Sequence, residues 1–141
     1  EIWIEDTNGT LLIGKNSTFE NVHLAVSEPY SKIKIGEECM FAYDIDIRTG
    51  DSHSILDLNT LKRINYAKNI VIGNHVWVAS HVSILKGSQL ADGSIVATRS
   101  VVTKEFSSKN VLLIGSPAKV QKENITWDRQ RIYQHQVNHK L

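Results

Sequence analysis

The stretch Thr49-Gly50-Asp51-Ser52-His53 ends on an imidazole, a group able to move a proton near neutral pH. A histidine with a pKa near ~6.5 accepts a proton from a hydroxyl at neutral pH and returns it to a leaving group. Such a base works better when its second ring nitrogen is held. Asp51 and Asp57 are nearby carboxylates that suit that task. The same residues also suit a solvated loop, the ordinary fate of loop histidines and acids. Trp77 offers a large rigid face for a ligand at small entropy cost, and equally suits packing between subunits. Lys104 and Lys119 carry the point charges that suit phosphate, although a lone lysine usually serves as a solvated charge.

Whatever positions these residues repeats every six. Ile72, Val78, Ile84, Leu90, Val96 and Val102 stand six apart without a slip. A helix repeats at about 3.6 residues and a plain strand at two, so this rhythm means short strands separated by tight turns. Val76, Val82, Ser88, Ser94 and Ser100 follow four positions after each aliphatic, and Phe106 breaks that series. Mostly small residues, such as Gly73, Ala79, Ala91 and Ala97, follow one position after. This is the signature of a hexapeptide-repeat parallel β-helix.

The rhythm extends backward as Ile13–Phe19–Ala25 and Ile35–Phe41–Ile47, and Ile13-Gly14 and Ile35-Gly36 echo Ile72-Gly73. With three hexads to a triangular coil, residues eighteen apart share a face: Ile72 under Leu90, Val78 under Val96, Ile84 under Val102. Two insertions interrupt the phase, between Ala25 and Ile35 and between Ile47 and Ile72. Both follow a third hexad, so both leave from one corner, and His53 lies at the base of the larger. A little over four coils at roughly 4.8 Å each predicts a prism about 20–25 Å long. The expected organisation is one domain: an edge segment over 1–12, a β-helix over 13–120 with a loop over 53–71, and a tail over 121–141. Asn8-Gly9 between Ile4 and Leu11 predicts an edge hairpin or an irregular first coil. Val111 to Ile114 predicts a last strand. Ile125, Trp127, Ile132 and Val137 predict a tail or helix lying on the prism or on a neighbour.

Composition limits the functional classes. Sixteen basic against fifteen acidic residues leave a net charge of +1, too little to recruit nucleic acid or anionic lipid. The single cysteine, Cys39, excludes an internal disulfide and suits a reducing compartment. The sequence has no apolar run of membrane-spanning length and no signal-peptide pattern, so a cytoplasmic protein is expected. The chain opens at Glu1 rather than Met, which leaves room for an upstream segment.

Ile72-Gly73-Asn74-His75-Val76-Trp77, with Ser94-Ile95-Val96-Ala97 and Val101-Val102-Thr103-Lys104, resembles the hexapeptide acyltransferases. Within that family it looks like the sugar O-acetyltransferases, over roughly Ile13 to Val120. The resemblance implies an all-β, left-handed parallel β-helix, against the usual right-handed rule for parallel crossovers. It also implies a homotrimer with sites between prisms, acetyl-CoA as co-substrate and a saccharide acceptor. By position in the family, His53 becomes the base, Trp77 lies near the thioester or acceptor, and Asn21 and Asp51 approach the acceptor. Asn21 equally suits a corner in left-handed backbone. Ala79, Ser80 and Ala97 match the pantetheine route. Thr103, Lys104, Ala118 and Lys119 match the nucleotide end.

Three other readings stand beside this one. The first makes the acceptor an amino sugar or small amine, as in the N-acyltransferases. A γ-carbonic-anhydrase-like metal site would draw on His75 and His81, but these are six apart and fall on successive faces. No metal is expected on that count. The last makes the coil a non-catalytic trimeric scaffold, since fold alone does not set function.

Overall fold

The computed structural model describes residues 1–133. Its strands form three sheets. The first sheet holds β1 (Ile2–Ile4), β4 (Val22–Val26), β7 (Ile45–Arg48), β10 (Ser83–Ile84) and β13 (Val101–Val102). The second holds β2 (Thr10–Ile13), β5 (Lys32–Ile35), β8 (Ile70–Ile72), β11 (Gln89–Leu90) and β14 (Glu105–Phe106). The third holds β3 (Thr18–Phe19), β6 (Met40–Phe41), β9 (Trp77–Val78), β12 (Ile95–Val96), β15 (Leu112–Gly115) and β16 (Ala118–Lys122). The chain visits the sheets in rotation, so each circuit is one coil of a three-sided prism.

The register is the one the spacing predicts. Ile72 pairs with Leu90, Val78 with Val96 and Ile84 with Val102, all in parallel strands. These aliphatics are essentially inaccessible to solvent, and with Ile33, Ile35, Phe41 and Ile47 they form one continuous core. Cys39 is free and buried within it, and burial pushes its thiol pKa up.

Three details depart from expectation, and at the N-terminus one of the two expected arrangements forms. In β4 the inward residues are Val22, Leu24 and Val26, and Ala25 faces out, because Leu24 rather than Ala25 pairs with Ile47. Phe106 does more than break the series: it pairs with Leu90 and takes the inward place in a coil two residues shorter. The N-terminus forms no hairpin. Instead β1 and β2 pair in parallel with β4 and β5, as an irregular first coil. At the other end β16 folds back antiparallel on β15, and nothing helical follows among the described residues. Val137 lies outside the described residues.

The three Ile-Gly echoes have one cause. Gly14, Gly36 and Gly73 stack at the corner between the second and third sheets, each donating its amide to the next coil. A Cβ on Gly36 would sit 2.5 Å from the Gly73 carbonyl oxygen and 2.7 Å from its carbon, so neighbouring coils close only over glycine. Two positions on, Asn16, Glu38, His75, Gly93 and Asn110 all have φ between 53° and 75° and turn the same corner. Gly36→Ala is therefore expected to cost about 1–3 kcal/mol and lower Tm by about 3–10 °C, measured by thermal unfolding. An unchanged Tm would show that the corner relaxes freely.

Candidate active site

The larger insertion runs from 49 to 69, and β8 already begins at Ile70, inside the span expected for the loop. It leaves the prism between the first and second sheets, as does the smaller insertion after β4. Its outer part is a small hairpin, with Leu56 bridged to Arg63 in antiparallel fashion and Ile64 N bonded to Ile55 O at 2.9 Å. Asp57 caps the tip, accepting from the amides of Asn59 and Thr60 at 2.9 and 2.8 Å. Leu58, Leu61, Ile64 and Tyr66 remain exposed along this arm.

His53 sits at the base of the arm and is exposed. Asn65, which is buried, fixes the backbone there. Its amide nitrogen donates to His53 O at 2.8 Å and to Asp51 Oδ2 at 2.9 Å, and its oxygen accepts from Ile55 N at 2.7 Å. Neither expected carboxylate holds the imidazole. Asp51 binds Lys86 and Asn65, and Asp57 is spent on the turn. Sequence reasoning passed over Asn65; its one signal was a polar side chain in a stretch rich in Ile, Leu and Tyr.

Two carboxylates tie the insertion down, and both titrate low. The Lys86 ammonium beside Asp51 holds its carboxyl below the usual range, against an opposing effect of burial and with help from Asn65. The Arg63 guanidinium, bonded to Glu28 at 2.9 and 2.5 Å, does the same for Glu28. A carboxylate whose folded pKa is depressed stabilises the fold fully above its unfolded pKa and loses that contribution as pH falls through the folded value. The arm is therefore expected to stay docked through the ordinary carboxylate range and to detach below it. Pepsin digestion at descending pH should show cleavage appearing within residues 54–66 first. Cleavage there that is independent of pH would remove these pairs as the anchor.

The other expected site residues divide between two sides of the prism. Thr103 and Lys104 lie at the corner that carries the His53 arm, in a groove of about 440 Å³ shared with Lys68 and Lys86. Lys104 also lines an adjoining groove of about 310 Å³ with Lys119, bringing the two expected phosphate-binding lysines together. Trp77 is half-buried on the third sheet, across the core from His53. Ala79, Ser80 and Ala97 follow it at the corner between the third and first sheets, where Ala79 N bonds to Val96 O and Thr98 Oγ1 to Ser80 O. Asn21 is exposed at that same corner, and its φ is not positive, so left-handed backbone does not explain it. Ala118 is buried in the core and presents no surface to a cofactor.

His75 and His81 turn different corners, with φ of 53° and 61°. His81 Nδ1 meets Asp44 Oδ2 at 2.7 Å, and His75 Nε2 meets Trp127 O at 3.0 Å. Among the described residues no group of three or more His, Cys, Asp or Glu side chains could hold a metal ion.

The structure of this chain is similar to that of a polysialic acid O-acetyltransferase, OatWY. The two superpose with a TM-score of 0.87 at 35% identity, over 98% of this chain and 68% of that one. The chain belongs to the hexapeptide-repeat sugar O-acetyltransferases. Within the family, the polySia-specific acetyltransferase NeuO matches with a TM-score of 0.79 at 33% identity, over 92% of this chain and 64% of that one. The polysialic acid O-acetyltransferase of Escherichia coli O1:K1 / APEC is 40% identical over 119 residues, which are 84% of this chain. The chain spans 38% of that relative's length. No protein-family model matches the sequence. Likeness to these acetyltransferases makes the coil a left-handed parallel β-helix, as the resemblance implied.

Proposed function

We propose that this chain transfers the acetyl group of acetyl-CoA to a hydroxyl of a saccharide, with His53 as general base. The observation that carries the reading is the division of candidate residues between two sides of one prism. The corner with His53, Thr103 and Lys104 cannot meet Trp77, Ala79, Ser80 and Ala97 within one chain, because the core lies between them. A ring of three copies, each presenting its arm corner to the third face of the next, brings both sets into one groove. That is a heterologous contact closed by rotation. The exposed apolar arm, with Leu58 88% and Leu61 68% accessible, supplies surface for such an interface.

In that groove the sugar oxygen attacks the thioester carbonyl carbon while His53 takes the hydroxyl proton. The tetrahedral intermediate collapses with loss of the CoA thiolate, which receives the proton from the imidazolium. Backbone amides of the neighbouring coil steady the oxyanion, and binding both substrates in one groove supplies proximity. The small residues Ala79, Ser80 and Ala97 admit the pantetheine arm. Lys104 and Lys119 meet the phosphates at the C-terminal end. Acetyl-CoA as donor supports a cytoplasmic reaction. Among the described residues no helix is long and apolar enough to cross a membrane.

Polysialic acid is the first acceptor to test, because two of the structural relatives and the Escherichia coli relative are named for it. Free thiol released from acetyl-CoA should depend on added saccharide, with polysialic acid set beside neutral sugars and amino sugars. Release with an amino sugar alone would move the reading to N-acylation. No release with any acceptor, together with no binding of CoA, would overturn it.

A further inference from the structure

We infer that Trp127, carried by the segment after the last coil, is a positioning residue that holds Trp77 at the site. The inference rests on the reading above in giving Trp77 a place in the reaction. Its support lies in how the segment is attached. Residues 123–133 contain no helix or strand, yet Trp127 is only 8% exposed. Its indole stacks on the His75 ring with centroids 4.1 Å apart and planes 5° apart. Two reciprocal bonds lock that stack: Trp127 Nε1 donates to His75 O at 2.9 Å, and His75 Nε2 lies 3.0 Å from Trp127 O. A carbonyl oxygen can only accept, so His75 carries its proton on Nε2. Two residues on, Arg129 donates to Cys39 O at 3.2 Å and Thr18 Oγ1 at 2.9 Å, both in earlier coils. The segment is a strap across the corner that leads into the third sheet.

Trp77 stands two residues past His75, and its ring lies 6.0 Å from that of Trp127 at an angle of 50°. It is an outward residue of a two-residue strand, flanked on its own sheet by Met40 and Ile95. A strand that short leaves an outward indole free to choose among rotamers, and a tilted aromatic neighbour narrows the choice. The strap thus backs Trp77 on the third face with a second, buried indole, with Trp77 aimed by Trp127 and Trp127 aimed by the left-handed corner at His75. The strap's position relative to the site follows from the bonds of Trp127 to His75 and of Arg129 to Thr18 and Cys39. The segment's polar composition concealed it, since Trp127 read as one scattered apolar residue among several.

The test compares Trp127→Ala and Trp127→Phe with the wild-type chain by two readouts. The first needs no activity: the side-chain NMR signal of the Trp77 indole, assigned among the three tryptophans Trp3, Trp77 and Trp127. Trp127→Ala should shift and broaden that signal while core methyl signals and the Trp3 indole stay in place, and Trp127→Phe should restore it. The second is the split of kinetic constants. Trp127→Ala should lower kcat about tenfold at a temperature where it is fully folded, with Trp127→Phe recovering most of the loss. An unmoved Trp77 signal overturns the inference whatever the activity. A moved signal with kcat unchanged overturns the part that ties Trp77 to the reaction. If the wild-type chain transfers no acetyl group at all, the function reading fails, and the Trp77 signal still decides whether Trp127 aims it.

Discussion

Replacing His53 with alanine is expected to lower kcat by about 10²–10⁴-fold while leaving the fold and Tm essentially unchanged. Both halves of that expectation come from the position of the side chain. The imidazole is exposed, and among the described residues it makes no hydrogen bond, so its removal opens no cavity and orphans no partner. What fixes the local backbone is the bond from Asn65 to the His53 carbonyl, which alanine keeps. A saccharide hydroxyl is a poor nucleophile until a base takes its proton, so transfer should collapse even where both substrates still bind. The check is thiol release from acetyl-CoA with the best acceptor, alongside circular dichroism and thermal unfolding. The pattern matters as much as the size. A base acting at the chemical step lowers kcat and kcat/KM together and leaves the donor KM nearly unchanged. Retention of wild-type turnover would remove His53 from the reaction. A fall in Tm matching the fall in activity would make it a structural residue.

The prism was legible because its rule is local and repeated. A coil that buries one aliphatic per strand writes its period into the chain, and Ile72, Val78, Ile84 and their partners eighteen residues on carry it without exception. The glycine echoes were legible for the same reason, as close approach between coils recurs at one corner. Where the coil changes length the rule fails. Leu24 displaces Ala25 and Phe106 comes inward after four residues, because a coil can shorten at a corner so long as the next side chain still fills the core. Contacts that cross the repeat left no period to read. Asn65 binding Asp51 and the His53 carbonyl, Arg63 reaching Glu28, and Trp127 stacking on His75 join segments 14, 35 and 52 residues apart. Each is a single event. Proximity in sequence suggested Asp51 or Asp57 as the partner of His53, and each proved to have a stronger partner of its own. Lys86 takes Asp51, and the amides of the hairpin tip take Asp57.

Two inactive variants are expected to restore activity to each other when mixed. The arm that bears His53 leaves between the first and second sheets, and Trp77 faces out from the third, so no movement of a packed prism brings them together in one chain. If each site takes His53 from one copy and Trp77 from the next, His53→Ala and Trp77→Ala spoil opposite halves of it. Unfolding and refolding the two as an equal mixture should give rings in which about one quarter of the sites combine an intact His53 with an intact Trp77. Activity near a quarter of wild type is then the expected value, against almost none for either variant alone. Mixing the two without unfolding provides the control, since copies that do not exchange cannot complement. A refolded mixture that stays inactive, although each variant folds and assembles alone, would place the working residues within a single chain. His53 would then have to act with something other than Trp77, and the groove holding Lys68, Lys86 and Lys104, at its own corner, is where that partner would be sought.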